Sequence, residues 1–121
     1  MVIKMKQKRI LHVEDDDSTQ LLIRGALGDH AELVQATSIE KASELLKTQE
    51  FDLVILDFTL PDGSGQSLLK DLRSRIEPPE IIVLSGHELT KNIPGVNRVL
   101  TKGRYQMKDL IQYVSDILAG K

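Results

Sequence analysis

Short apolar runs alternate along the chain with segments whose apolar residues recur every three or four positions. The runs are RILHV (9–13), AELVQA (31–36), LVILD (53–57), IIVLS (81–85) and RVLT (98–101), each of strand length and bounded by polar residues. Between them, Leu22, Ile23, Ala26 and Leu27, then Ile39, Ala42, Leu45 and Leu46, then Leu68, Leu69, Leu72 and Ile76 each trace one buried face of a helix. Met107, Leu110, Ile111, Val114 and Leu118 repeat the pattern at the end, while Gly28, Pro78-Pro79 and Pro94-Gly95 punctuate the joints. Strand and helix in alternation predict an α/β fold. Parallel neighbours need crossovers, and right-handed crossovers place helices on both faces of the sheet.

In such sheets, ligands bind beyond the carboxyl ends of the strands, where the winding direction reverses. The residues delivered there are Glu14 and Asp15 after the first strand, Asp57 at the end of the third, Ser85 at the end of the fourth and Lys102 after the fifth. Three carboxylates at one strand end repel one another unless a cation offsets them. Glu14, Asp15 and Asp57 offer the oxygen donors that a hard cation such as Mg²⁺ prefers. A second oxygen of Asp57 is then available as a nucleophile towards phosphorus, and Ser85 and Lys102 are placed to meet phosphoryl oxygens.

Other polar residues carry plainer readings. In EDDDSTQ, Asp17 with Gln20 three positions on reads as an N-cap with a capping box, making Asp16 and Asp17 structural or solvated. His12 reads as a structural residue of the first strand. The three histidines are too scattered for a histidine metal site.

Composition narrows the function. The 121 residues, 40% hydrophobic and 28% charged, suit one globular domain over 1–121. No cysteine means no disulfide, thiolate zinc site or thiol nucleophile, which with the absence of a signal-like or membrane-length apolar run predicts a cytoplasmic protein away from membranes. A net charge of −2 and four aromatic residues argue against a nucleic-acid surface within this chain. Lys4, Lys6, Lys8 and Arg9 read as a solvated basic lead-in.

The pieces ILHVEDD, DLVILDFTLPDGSG, IIVLSG and GVNRVLTK, in this order and over nearly the whole chain, resemble the receiver domains of two-component response regulators. The resemblance implies a flavodoxin-like, doubly wound sheet of five parallel strands in the order 2-1-3-4-5, with Asp15 brought beside Asp57. It implies that Asp57 is the phosphoacceptor of a phosphorelay, supplied by a histidine kinase or phosphotransfer protein with Mg²⁺ as cofactor. Output then runs through a protein partner, with at most slow self-dephosphorylation for turnover. Thr59 and His87, two residues beyond Asp57 and Ser85, correspond to positions that tune phosphoryl lifetime. An aspartate-based phosphohydrolase is disfavoured because Thr59 stands where such enzymes commonly place a second Asp.

The chain also departs from the family pattern. Gly103 follows the lysine where a proline is usual, predicting a looser lysine loop. Val99 replaces the usual aromatic switch residue. HELTKNIPG is too short for a full fourth helix, which is expected to be shortened or absent. These departures leave a phosphorylation-independent, pseudo-receiver interaction module as the alternative.

Overall fold

A computed structural model describes residues 7–60, 63–86 and 93–120. Five strands, β1 (Arg9–Val13), β2 (Glu32–Ala36), β3 (Leu53–Asp57), β6 (Glu80–Ser85) and β7 (Arg98–Thr101), form one parallel sheet in the order β2-β1-β3-β6-β7. Numbered among themselves, these strands run 2-1-3-4-5, as expected. Helices α1 (Asp17–Leu27), α2 (Ile39–Thr48) and α3 (Gly65–Arg73) make the crossovers, and α4 (Met107–Leu118) closes the chain. A two-residue antiparallel ribbon, β4 (Thr59–Leu60) with β5 (Gly63–Ser64), occupies the loop after β3.

The strand period of two divides the apolar residues between two cores. Leu11, Val13, Val54, Leu56, Ile81 and Val83 face α2 and α3, where they meet Ala42, Leu46, Leu68, Leu69 and Leu72. Ile10, Leu53, Ile55, Ile82 and Leu84 face α1 and α4, packing on Ile23, Leu27, Leu110 and Val114. Every residue of β3 is buried, which explains why LVILD reads as an uninterrupted apolar run rather than an alternating one.

Two expected core residues lie outside. Leu22 is 62% exposed, because α1 turns only Ile23 and Leu27 fully inward. Ile76 is fully exposed, because α3 ends at Arg73, before the helical repeat reaches it. Arg9 is not a solvated lead-in either. Its guanidinium donates to Glu32 at 3.0 Å and to the Glu50 carbonyl at 3.0 Å, and lies 4.9 Å from the centre of the Phe51 ring. The expected shortened fourth helix falls chiefly on residues 87–92, outside the described residues; Ile93–Asn97 are not helical.

Candidate functional site

The winding reverses between β1 and β3, and their register pairs Val13 with Leu56. That pairing carries Glu14, Asp15 and Asp57 past the same edge of the sheet. Ligand oxygens of all three lie within 4.8 Å of one another. Glu14 and Asp57 are fully buried and Asp15 is exposed, so the cluster opens to solvent on one side.

From the other side of β3, β6 and β7 bring Ser85 and Thr101 into register. The Lys102 amide then donates to the Ser85 carbonyl at 2.8 Å, extending the pairing by one residue. The Lys102 ammonium donates to Asp57 Oδ2 at 2.9 Å and lies 3.6 Å from Glu14 Oε1. All five residues expected at the strand ends are thus gathered at one end of the sheet. A surface hollow of about 1030 Å³ is at the opposite end, between Arg9, Phe51, Arg75, Pro78 and Leu118. It contains none of these five groups.

The electrostatics follow from burial. Glu14 is pushed up to about 7, first by loss of solvent and then by hydrogen bonding with, and repulsion from, Asp57; Lys102 acts against the shift. Burial alone would lower the Lys102 ammonium, but its hydrogen bond to Asp57 and the charges of Glu14 and Asp57 outweigh it and raise the value. Glu14 Oε1 is buried without a hydrogen-bond donor among the described residues. An acid that is costly to ionise, with an unsatisfied oxygen, beside two more carboxylates is a donor set suited to a hard divalent cation.

The loop after Asp57 is shaped by close approach. A β-carbon on Gly65 would sit 2.9 Å from the Asp57 carbonyl oxygen and 2.9 Å from the Phe58 ring, so a larger residue there would push the start of α3 away from β3. Thr59 lies on β4, its backbone paired with Ser64. His87 lies outside the described residues.

Two local expectations change. The N-cap of α1 is Asp16, not Asp17: its Oδ2 accepts from the Thr19 amide at 2.8 Å and the Thr19 hydroxyl at 2.7 Å. Gln20 forms no capping box with Asp17 but donates to the Glu14 carbonyl at 2.6 Å, tying α1 to the acidic turn. In the lysine loop the Arg104 amide donates to the Thr101 carbonyl at 3.0 Å and closes a tight turn.

The sequence reading missed the connections of His12. His12 is fully buried, with Nδ1 3.1 Å from Gln35 Nε2, which also donates to the Gln20 carbonyl at 2.8 Å. Arg24 Nε donates to Gln35 Oε1 at 3.1 Å. Burial lowers His12 to about 4 although Asp57 opposes the shift, so the ring is neutral near pH 7. A polar Gln35 between the apolar Val34 and Ala36 of β2 was the available signal.

The family model described as "Response regulator receiver domain" matches residues 10–114. The chain belongs to that family. Receiver domains serve phosphorylation-based two-component signalling and are signalling domains rather than conventional enzymes. The chain is 32% identical over 89 residues to the KDP operon transcriptional regulatory protein KdpE of Escherichia coli, covering 73% of this chain and 40% of that protein. It is 39% identical over 80 residues to the cell cycle transcriptional regulator CtrA of Caulobacter vibrioides, covering 64% of this chain and 34% of CtrA. The receiver chain therefore spans well under half the length of these two relatives. Response regulator protein TrrA of Thermotoga maritima, solved in complex with Mg²⁺ and a beryllium fluoride, shares the fold with a TM-score of 0.79 at 24% identity, over 91% of this chain and 98% of that one. No helix among the described residues is long and apolar enough to cross a membrane.

Proposed function

We propose that this receiver takes a phosphoryl group onto Asp57 from the phosphohistidine of a histidine kinase or phosphotransfer protein, and that Mg²⁺ is its cofactor. The observation that carries this reading is a fully buried strand-end carboxylate with an ammonium at 2.9 Å and two further acids within 4.8 Å. Glu14, Asp15 and Asp57 would hold the metal, which supplies charge neutralisation for an incoming phosphoryl group. An Asp57 oxygen attacks phosphorus in line with the donor's P–N bond; that bond breaks, and the donor imidazole leaves with its electron pair. Lys102 pairs with a phosphoryl oxygen, and the Ser85 hydroxyl donates to another. Thr59 and His87 stand at the positions that, by the family resemblance, tune the lifetime of the acyl phosphate.

Its output runs through a protein partner. The Mg²⁺ complex of TrrA supports the choice of cation. Intact mass after incubation with acetyl phosphate and Mg²⁺ tests the reading. One added phosphoryl group in the parent, absent from Asp57→Ala and absent when EDTA replaces Mg²⁺, is the expected result. A parent that gains no mass and binds no Mg²⁺ would instead make the chain a phosphorylation-independent interaction module.

A further inference from the structure

Lys102 has the longest reach to make among the site residues. Its side chain is 37% exposed, and its ammonium is tied to Asp57 by one hydrogen bond at 2.9 Å. A lysine side chain has large rotamer entropy, so whether its ammonium reaches Asp57 and Glu14 depends on where the main chain starts it. Hydrogen bonds of the main chain set that start. On one side, the Lys102 amide donates to the Ser85 carbonyl at 2.8 Å; on the other, the Arg104 amide closes onto the Thr101 carbonyl at 3.0 Å.

Thr101, Lys102, Gly103 and Arg104 therefore form a four-residue turn, with Gly103 in third place at φ +83°. A positive φ at the third position is what type II turns require, and glycine meets it without steric cost. A β-carbon at Gly103 would meet no atom within 4 Å. The requirement at this position is thus for backbone conformation and not for space.

We infer that Gly103 is a positioning residue for the phosphoryl-transfer site: its left-handed turn aims Lys102 between Asp57 and Glu14. This rests on the Asp57 reading above for its kinetic consequence, but its electrostatic consequence is independent of that reading. The ammonium lies 2.9 Å from one carboxylate of the acidic cluster and 3.6 Å from another. When the turn opens and Lys102 swings away, the cluster loses its compensating charge. Phosphoryl transfer then slows while the attraction for a divalent cation grows. General unfolding of the loop or domain would weaken both.

The test is a series at one position. Asn tolerates a left-handed φ, Ala tolerates it poorly, and β-branched Val tolerates it least. Gly103→Asn, Gly103→Ala and Gly103→Val are compared with the parent and Lys102→Ala. The assays are phosphorylation rate with acetyl phosphate, Mg²⁺ titration by calorimetry, and thermal unfolding. Asn should stay near the parent, whereas Ala should lose about five- to thirtyfold in rate, the factor corresponding to a left-handed backbone penalty. Val should approach Lys102→Ala, with Mg²⁺ binding tighter in Ala and Val alike.

Equal phosphorylation and Mg²⁺ affinity across the series would overturn the inference, as would parallel losses of rate and Mg²⁺ affinity. If Val does not fold, the Ala and Asn variants still decide the question. If even the parent takes no phosphoryl group, the Asp57 reading falls, and Mg²⁺ binding that fails to tighten in Ala relative to Asn refutes the role of Gly103.

Discussion

Replacing Glu14 with Gln should stabilise the metal-free protein at alkaline pH while weakening its hold on Mg²⁺. Glu14 is fully buried, and its folded value is about 7 against an ordinary 4.5. The folded state therefore keeps a proton that the unfolded state releases. A raised carboxyl contributes stability that is fully present below pH 4.5 and is lost as the pH rises through about 7. At ~1.4 kcal/mol per unit the loss is about 3 kcal/mol by pH 8. Glutamine has the same shape, keeps an oxygen for the Asp16 amide that Glu14 Oε2 accepts at 3.3 Å, and does not titrate.

Urea unfolding in EDTA should thus show a gap between variant and parent that is small at pH 5 and widens in favour of the variant, by up to about 3 kcal/mol, at pH 8. The titration of His12 is common to both proteins and cancels in the difference. Adding Mg²⁺ at pH 8 should reverse the order, because binding to the folded state stabilises the parent by mass action and the variant lacks one carboxylate. A pH-independent gap, or a variant that is less stable than the parent at pH 8 in EDTA, would refute the claim that burying this acid is costly.

The other predictions concern separate parts of the molecule. In the Glu14→Gln background, stability should fall as the pH drops below 6.5 towards 4, because His12 is held neutral in the fold and the unfolded state takes up the proton; unfolding at pH 5 and pH 7 with and without His12→Gln checks it. Gly65→Ala should cost roughly 1–3 kcal/mol by forcing the start of α3 away from the Asp57 carbonyl, and should slow phosphorylation by acetyl phosphate as well. Leu72→Ala, at a fully buried site, should cost about 2–5 kcal/mol in urea unfolding, whereas Leu22→Lys, on the exposed side of α1, should stay within about 0.5 kcal/mol of the parent.

The strands and the end of the sheet where the polar cluster lies were legible because both depend on short-range order. Apolar runs of strand length mark β1, β3 and β6 almost to the residue, and the rule that ligands gather beyond the strand ends then selects Glu14, Asp15, Asp57, Ser85 and Lys102. Helical periodicity was less exact at the ends. It put Leu22 and Ile76 in the core because a repeat of three and four does not say which of two adjacent leucines points inward, or where a helix stops. The N-cap was misplaced by one residue for a related reason. Asp16 and Asp17 are chemically equivalent along the chain, and only the exit angle of β1 decides which carboxylate meets the Thr19 amide.

What the sequence by itself determined is therefore the set of elements, their alternation and the chemical types delivered to one end of the sheet. Those follow from periodicity and from the side chains that each strand carries. The tertiary structure alone decided the quantities that depend on distance between parts of the chain remote in sequence. These include the raised Glu14, the neutral His12 joined through Gln35 to α1, and the ammonium of Lys102 set between two carboxylates. Gly103 shows the division most clearly. Its identity suggested a slack loop, but its φ of +83° and the hydrogen bond across it make a closed turn, because a backbone dihedral takes its value from the contacts on both sides.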